Sequence, residues 1–179
     1  MSGTIVSFQL RHLTAADRDR IEEITRSTAL FREDEILVAL EVFDEATGGS
    51  PANTYSVLGV EFDNRVAGWI CWGPTPCTQG TYDLYWMAVD PELQGTGIGT
   101  ALLTEMERRL EGVARLIVIE TAGRPDYGPT RAFYQARGYS PVSRIPDFYA
   151  AGDDQLVFVK RGGEAGTREG EEGSAKVEG

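Results

Sequence analysis

Three glycines, at 95, 97 and 99, sit between a strand-like run and a helical one, and this arrangement constrains the fold more than any other feature of the chain. Residues 81–89 are rich in β-branched and aromatic side chains and end at Asp90-Pro91. Gln94-Gly95-Thr96-Gly97-Ile98-Gly99 then opens a helix predicted over 97–110, with Ala101, Leu102, Met106 and Leu110 along one side and Gly112 at its close. Glycine lets the backbone approach a ligand closely, and a helix start offers unpaired N–H groups and the positive end of a dipole. Strand, glycine loop and helix start in this order make a seat for a diphosphate. The loop carries no lysine, which excludes an ordinary P-loop.

A dinucleotide-binding unit also places glycines at a helix start. It requires Gly-x-Gly-x-x-Gly directly after the strand and an acid about 20 residues further on. Glu120 lies at about that distance. The spacing here is Gly95-x-Gly97-x-Gly99, however, and Asp90 to Gln94 separate strand from glycines. The unit lies mid-chain, and no second nucleotide-binding half follows. A dinucleotide oxidoreductase is therefore disfavoured.

Around this centre, residues 5–11 read as a strand, and Thr14 with Asp17 reads as a cap for a helix reaching Ser27. A second helix is predicted over 32–45, with Ile36, Leu37, Leu40 and Phe43 on its apolar face, closed by Gly48-Gly49-Ser50-Pro51. Runs 55–62 and 66–72 flank the tight turn Asp63-Asn64-Arg65 and form a hairpin. Residues 115–121 form a short buried strand, and a helix starts near Pro129 and stops at Gly138. Strands at 139–145 and 155–160 follow. The order β-α-α-β-β-β-α-β-α-β-β implies an α/β fold with a mixed sheet of about seven strands and helices on both faces. From Gly162 the chain is Gly- and Glu-rich without apolar anchors, so one domain over 1–161 with a disordered acidic tail at 162–179 is expected.

Composition excludes several kinds of function. The net charge is −11, and residues 161–179 supply only three cations and five glutamates of that balance. So acidic a body argues against a nucleic-acid partner and suits a cationic one. No apolar stretch reaches the length of about 20 residues that spans a bilayer, and the N-terminus lacks the pattern of a secretory signal, so no membrane partner and a cytoplasmic location are expected. His12 is the only histidine, and Cys71 and Cys77 are the only cysteines, which leaves no metal set, no Ser-His-Asp triad and no disulfide framework. Both cysteines read as packing residues, and so do Trp69, Trp72 and Trp86.

Gln94-Gly95-Thr96-Gly97-Ile98-Gly99 resembles the pattern Arg/Gln-x-x-Gly-x-Gly/Ala of the GNAT (Gcn5-related N-acetyltransferase) superfamily. Val89-Asp90-Pro91 before it and Phe133-Tyr134-Gln135-Ala136-Arg137-Gly138-Tyr139 after it match the same family, over about residues 5–161. The closest similarity is to uncharacterised single-domain members. The resemblance implies a GNAT fold: a mostly antiparallel central sheet with a splayed parallel strand pair, here 81–89 and 115–121. It also implies an N-acetyltransferase that moves an acetyl group from acetyl-CoA to a primary amine by direct transfer in a ternary complex, with no metal. The alternative is a non-catalytic acyl-CoA-binding or sensor domain.

On that resemblance, Met87 and Val89 bind the pantetheine arm through main-chain groups, and a backbone N–H at Ala88 or Val89 receives the oxyanion. Gln94, Gly95, Thr96, Gly97, Ile98, Gly99 and Thr100 cradle the diphosphate. Tyr134 matches the tyrosine that protonates the departing sulfur. Glu120 is the first choice of general base and Asp83 the alternative; a strand-end carboxylate paired with an arginine is the plainer reading of Glu120. Family members often carry an asparagine before the tyrosine-bearing helix, and Thr130 stands in for it here. Phe31, Glu35, Tyr85, Asp147, Tyr149, Asp153 and Asp154 are candidates for an amine pocket. For the segment Tyr149 to Asp154, a tight hairpin with solvated acids is the favoured reading, because Gly and Asp dominate turns. The acceptor, a small molecule or a peptide amine, stays open, as does monomer or homodimer.

Overall fold

The computed structural model describes residues 8–162. The expected tail lies outside the described residues but for its first, Gly162, and so do residues 5–7 of the expected first strand. The chain runs β1 (Gln9–His12), α1 (Arg18–Ser27), α2 (Glu33–Thr47), β2 (Ser56–Phe62), β3 (Arg65–Pro74), β4 (Thr81–Val89), α3 (Ile98–Leu110), β5 (Leu116–Ala122), α4 (Gly128–Gln135), β6 (Ser140–Ala150) and β7 (Asp153–Arg161). The seven strands form one mixed, mostly antiparallel sheet in the order β1-β2-β3-β4-β5-β7-β6, with β4 and β5 its parallel pair. This is the α/β arrangement expected from the order of elements.

Two apolar layers sandwich the sheet. On one face, Ile21 and Ile24 of α1 and Ile36, Ala39, Leu40 and Phe43 of α2 pack on Val57, Trp69, Cys71 and Ala88. On the other, Leu102, Met106 and Leu110 of α3 pack on Leu58, Ile70, Leu84 and Phe158. Trp69 anchors the first layer: it is fully buried, meets Phe43 edge-on at 5.9 Å and donates its indole N–H to Thr25 Oγ1 at 3.1 Å. The hairpin turn has the expected form, with Asp63 and Asn64 both left-handed (φ 51° and 58°), the conformation that lets a two-residue loop follow the strand twist.

Four expectations differ from the structure. Thr14 and Asp17 frame a single 3-10 turn, with the Thr14 N–H donating to Asp17 at 2.9 Å, and α1 proper begins only at Arg18. Leu37 is 52% exposed, because the buried stripe of α2 runs through Ile36, Ala39, Leu40 and Phe43 and Leu37 lies about 100° around from it. β6 continues past Pro146 to Ala150, since it is the edge strand and an edge tolerates a residue without an N–H. Cys71 is buried as expected, but Cys77 is exposed in a loop at φ 60° rather than in the core. Among the described residues no helix is long and apolar enough to cross a membrane.

Candidate active site

The parallel pairing of β4 with β5 is short. It runs from Thr81 opposite Leu116 to Leu84 opposite Ile119 and then stops. Beyond that point β4 stays on β3 as far as Val89, and β5 stays on β7 as far as Ala122, so the two middle strands diverge. A bulge marks the place: Cys71 faces Trp86 and Trp72 faces Leu84, which leaves Tyr85 as the extra residue. Bulges bend a strand and increase its twist, and here the bend carries β4 away from β5. The wedge between them opens into a cavity of about 1010 Å³. It is lined by Phe31, Trp86 and Glu120 from the α1/α2 side and by Thr100, Phe133 and Tyr134 from the α3/α4 side, so it passes through the plane of the sheet.

Backbone alternation determines what β4 presents to the wedge. The Asp90 N–H donates to Ala67 O at 2.8 Å, and in an antiparallel ladder this directs the groups of Ala88 and Asp90 toward β3. The N–H and C=O of Met87 and Val89 therefore face the opening, where no strand pairs with them. Gln94 Nε2 lies 3.5 Å from Val89 O, on that open side.

At one end of the cavity is the glycine loop. Gly95 and Gly97 have φ of 79° and 95°, which side-chain-bearing residues rarely adopt, and Gly97 caps α3. The helical ladder begins with Ala101 N–H on Gly97 O at 2.9 Å, so the N–H groups of Ile98, Gly99 and Thr100 precede it. Arg137 stands beside them. Its guanidinium lies 3.5 Å above the Phe133 ring centroid, donates to Thr100 Oγ1 and to Phe133 O, and keeps a buried Nε without a partner among the described residues. An ion pair from Arg20 to Asp90, 2.5 Å, ties the entry of the loop to α1.

The other end is acidic. Asp83 and Val118 are register partners, so Asp83 and Glu120 project from the same face of neighbouring strands. Asp83 accepts from Thr75 Oγ1 at 2.7 Å, and Glu120 accepts from Gln155 Nε2 at 2.9 Å. Partial burial raises the Glu120 carboxyl above its ordinary value, and the charge of Asp83 raises it further; the Gln155 hydrogen bond opposes both. Glu35 joins the same wall, and Arg32, the cation there, is already engaged by Asp34 at 3.2 Å and Glu35 at 3.7 Å. Phe31 and Trp86, edge to face at 5.1 Å, and Tyr149 give this end its apolar surface.

Tyr134 reaches the cavity from α4, on the side of the sheet opposite Glu120. It is 4% exposed, packs against Phe133 and Tyr139, and has no hydrogen-bond partner for its hydroxyl among the described residues. Burial raises its ionisation far above the usual phenol range, so it stays protonated at any working pH.

A family model for the acetyltransferase (GNAT) family matches residues 18–139. The chain is a member of the GNAT family. An uncharacterised N-acetyltransferase of Methanocaldococcus jannaschii is 28% identical to it over 163 residues, which cover 85% of this chain and 90% of that protein. A crystal structure from Desulfovibrio desulfuricans, provisionally assigned as a GNAT-family acetyltransferase, superposes with a TM-score of 0.82 at 37% identity over 87% of this chain and 99% of that one. The ribosomal-protein alanine N-acetyltransferase of Escherichia coli shares the fold at a TM-score of 0.73 and 18% identity, over 90% of this chain and 98% of that one.

Most residues singled out from the GNAT resemblance line this one cavity: Met87, Ala88, Val89, Gln94, Gly95, Gly97, Gly99, Thr100, Thr130, Glu120 and Tyr134. Two side chains do not. Thr96 turns its hydroxyl onto Leu93 O at 2.6 Å, and Ile98 is buried in the α3 layer. Of the acceptor candidates, Phe31, Glu35 and Tyr85 line the cavity with Tyr149, whereas Asp147, Asp153 and Asp154 do not. Those three acids belong to the β6–β7 hairpin. Asp147 Oδ1 accepts the Gly152 N–H at 2.6 Å, and Asp154 accepts the Asp147 N–H at 3.0 Å and pairs with Arg144. The hairpin reading holds, but Asp153 and Asp154 are buried rather than solvated. Trp86, expected to be core, forms part of the cavity wall. Among the described residues no three His, Cys, Asp or Glu side chains are placed to hold a metal ion.

Sequence reasoning assigned no role to Arg137 or Gln155. Arg137 lies within the matched motif, in the turn that follows α4, and its position four residues after Phe133 was the available signal. Gln155 carried no signal, because it meets Glu120 only through the pairing of β5 with β7.

Proposed function

We propose that this protein transfers the acetyl group of acetyl-CoA directly to a primary amine, with both substrates bound at once. The observation that carries this reading is the wedge, a passage through the sheet with an anion seat at one end and carboxylates at the other. The residues fit the donor. A Cβ on Gly97 would meet nothing within 4 Å, so the space before the loop is open to a diphosphate. The free N–H groups at the start of α3 and the Arg137 cation suit its charge. Met87 and Val89 offer the pantetheine amides the pairing that β5 no longer gives β4.

The amine enters from the acidic side. Glu120 takes a proton from the ammonium, with Asp83 as the second carboxylate of that wall. The nitrogen then adds to the thioester carbonyl, and an N–H of β4, Val89 by the alternation, receives the oxyanion; the adduct loses its second N–H proton to solvent and the C–S bond breaks. Tyr134, on the opposite face, protonates the departing thiolate and recovers its proton from solvent. The balance is ammonium plus thioester giving amide, thiol and one released proton. Neither cysteine lines the cavity, and burial pushes the Cys71 thiol up to about 12, so transfer through an acyl-cysteine has no support.

The acidic wall disfavours an acceptor with a carboxylate beside its amine. Phenylalanine amide should therefore react at least ~10-fold faster in kcat/KM than free phenylalanine, a difference of about 1.4 kcal/mol. Equal rates would remove the wall as a determinant. Tyr134→Phe should lower kcat by ~10-fold or more while the acetyl-CoA Kd changes less than twofold, and unchanged turnover would end its role as acid. The test of the function itself is calorimetry with acetyl-CoA, CoA and NAD, followed by thiol release on adding amines. Binding of acetyl-CoA with amine-dependent release supports the proposal. Binding of NAD without CoA refutes it, and binding without release on any amine leaves only a carrier or sensor.

A further inference from the structure

We infer that Gln155 is a positioning residue for the transfer reaction: its side-chain amide holds the Glu120 carboxylate toward the wedge without neutralising it. The inference rests on the reading of Glu120 as the base and adds the group that makes it one. β7 is otherwise built from apolar residues at this level, with Leu156 and Phe158 facing the α3 layer and Val157 lying opposite Glu120 itself. Gln155 lies opposite Ala122, diagonal to Glu120 on the same face, and is only 4% exposed. A buried amide without a partner destabilises a fold, so a glutamine here needs an acceptor. Glu120 Oε2 is that acceptor, 2.9 Å from Gln155 Nε2. Tyr149 on β6 lines the same wall of the cavity as Glu120.

The chemistry of the donor matters. An arginine at this position would orient the carboxylate equally well but would hold it strongly ionised and poor at accepting a proton. An amide neither titrates nor carries charge, so it fixes direction and lowers basicity less than a cation would; the rest is left to the surroundings. Those surroundings are Asp83 and Tyr85 on β4, Tyr149 on β6 and, further up the wall, Glu35 on α2. Asp83 opposes ionisation of Glu120, and the Gln155 amide favours it. The two neighbours thus act in opposite directions on one group.

Opposed shifts give the test. Kcat and kcat/KM would be measured against pH for the full chain carrying Gln155→Met, which keeps length and removes the donor, and Gln155→Asn, which withdraws it by one methylene. Acetyl-CoA binding and circular dichroism would report the fold. The expected result for both variants is a kcat reduced by ~10-fold or more, an acetyl-CoA Kd within about twofold and an acid limb moved to higher pH, whereas Asp83→Asn moves the limb lower. A fall in kcat with an unmoved limb makes Gln155 structural and overturns the inference, as does unchanged kcat. Glu120→Gln separates the two claims. If it abolishes the acid limb while the Gln155 variants leave the wild-type limb in place, only the inference fails; if it leaves activity intact, the assignment of the base fails and the inference falls with it.

Discussion

Glu120→Gln is expected to reduce kcat by ~100-fold to ~1,000-fold, within the range by which general bases accelerate proton transfer, while the acetyl-CoA Kd stays within about twofold. The substitution keeps the shape of the side chain and the hydrogen-bond reach of Gln155 but removes the negative charge that takes the proton. The pH profile gives a second readout. A base works when ionised, so activity rises with pH through the Glu120 pKa. Burial and Asp83 raise that pKa above the ordinary 4.5, so the wild-type acid limb should lie above the usual carboxylate range, and in the variant it should vanish. A variant with full activity and the wild-type limb would transfer the role to Asp83, which shares the face and the wall.

Gly97→Glu should weaken acetyl-CoA binding by at least ~100-fold, about 2.7 kcal/mol. Two costs combine. The position has φ 95°, where a side chain strains the backbone, and the new side chain projects into open space before the helix start, where the diphosphate is proposed to sit. A carboxylate there both fills the seat and repels the ligand. Gly112→Glu is the matched control: Gly112 also has positive φ (71°) and open space around it, but it lies at the far end of α3. It should carry a similar strain and the same charge yet leave the acetyl-CoA Kd within about twofold. Equal loss in both variants would mean that strain or net charge, rather than the seat, controls binding.

The glycine loop could be read from the chain because its causes are local. Positive φ at Gly95 and Gly97, the helix spacing of Leu102, Met106 and Leu110, and the Asp63-Asn64 turn each depend on residues a few positions apart. Elements that depend on layer context were read less well. Leu37 has helical spacing relative to Leu40 but lies outside the stripe that the sheet covers, and β6 runs through Pro146 because it ends the sheet. Asp153 and Asp154 of the β6–β7 hairpin looked solvated; instead Asp154 bonds the Asp147 N–H and Arg144, and Asp153 lies buried 3.5 Å from Arg124.

The sequence by itself determined the order of strands and helices, the glycine loop at the start of α3 and the presence of Glu120 and Tyr134, since backbone sterics and side-chain periodicity act over short range. Only the tertiary structure decided that the passage runs through the sheet. It required a bulge at Tyr85, the loss of β4–β5 pairing after Leu84 and Ile119, and β7 holding β5 from the other side. It also decided that Glu120 and Tyr134 reach one cavity from opposite faces, and that Gln155, 35 residues from Glu120 in the chain, becomes its hydrogen-bond partner. Strand register over such separations is set by the burial of whole faces at once, and no short stretch of sequence encodes it.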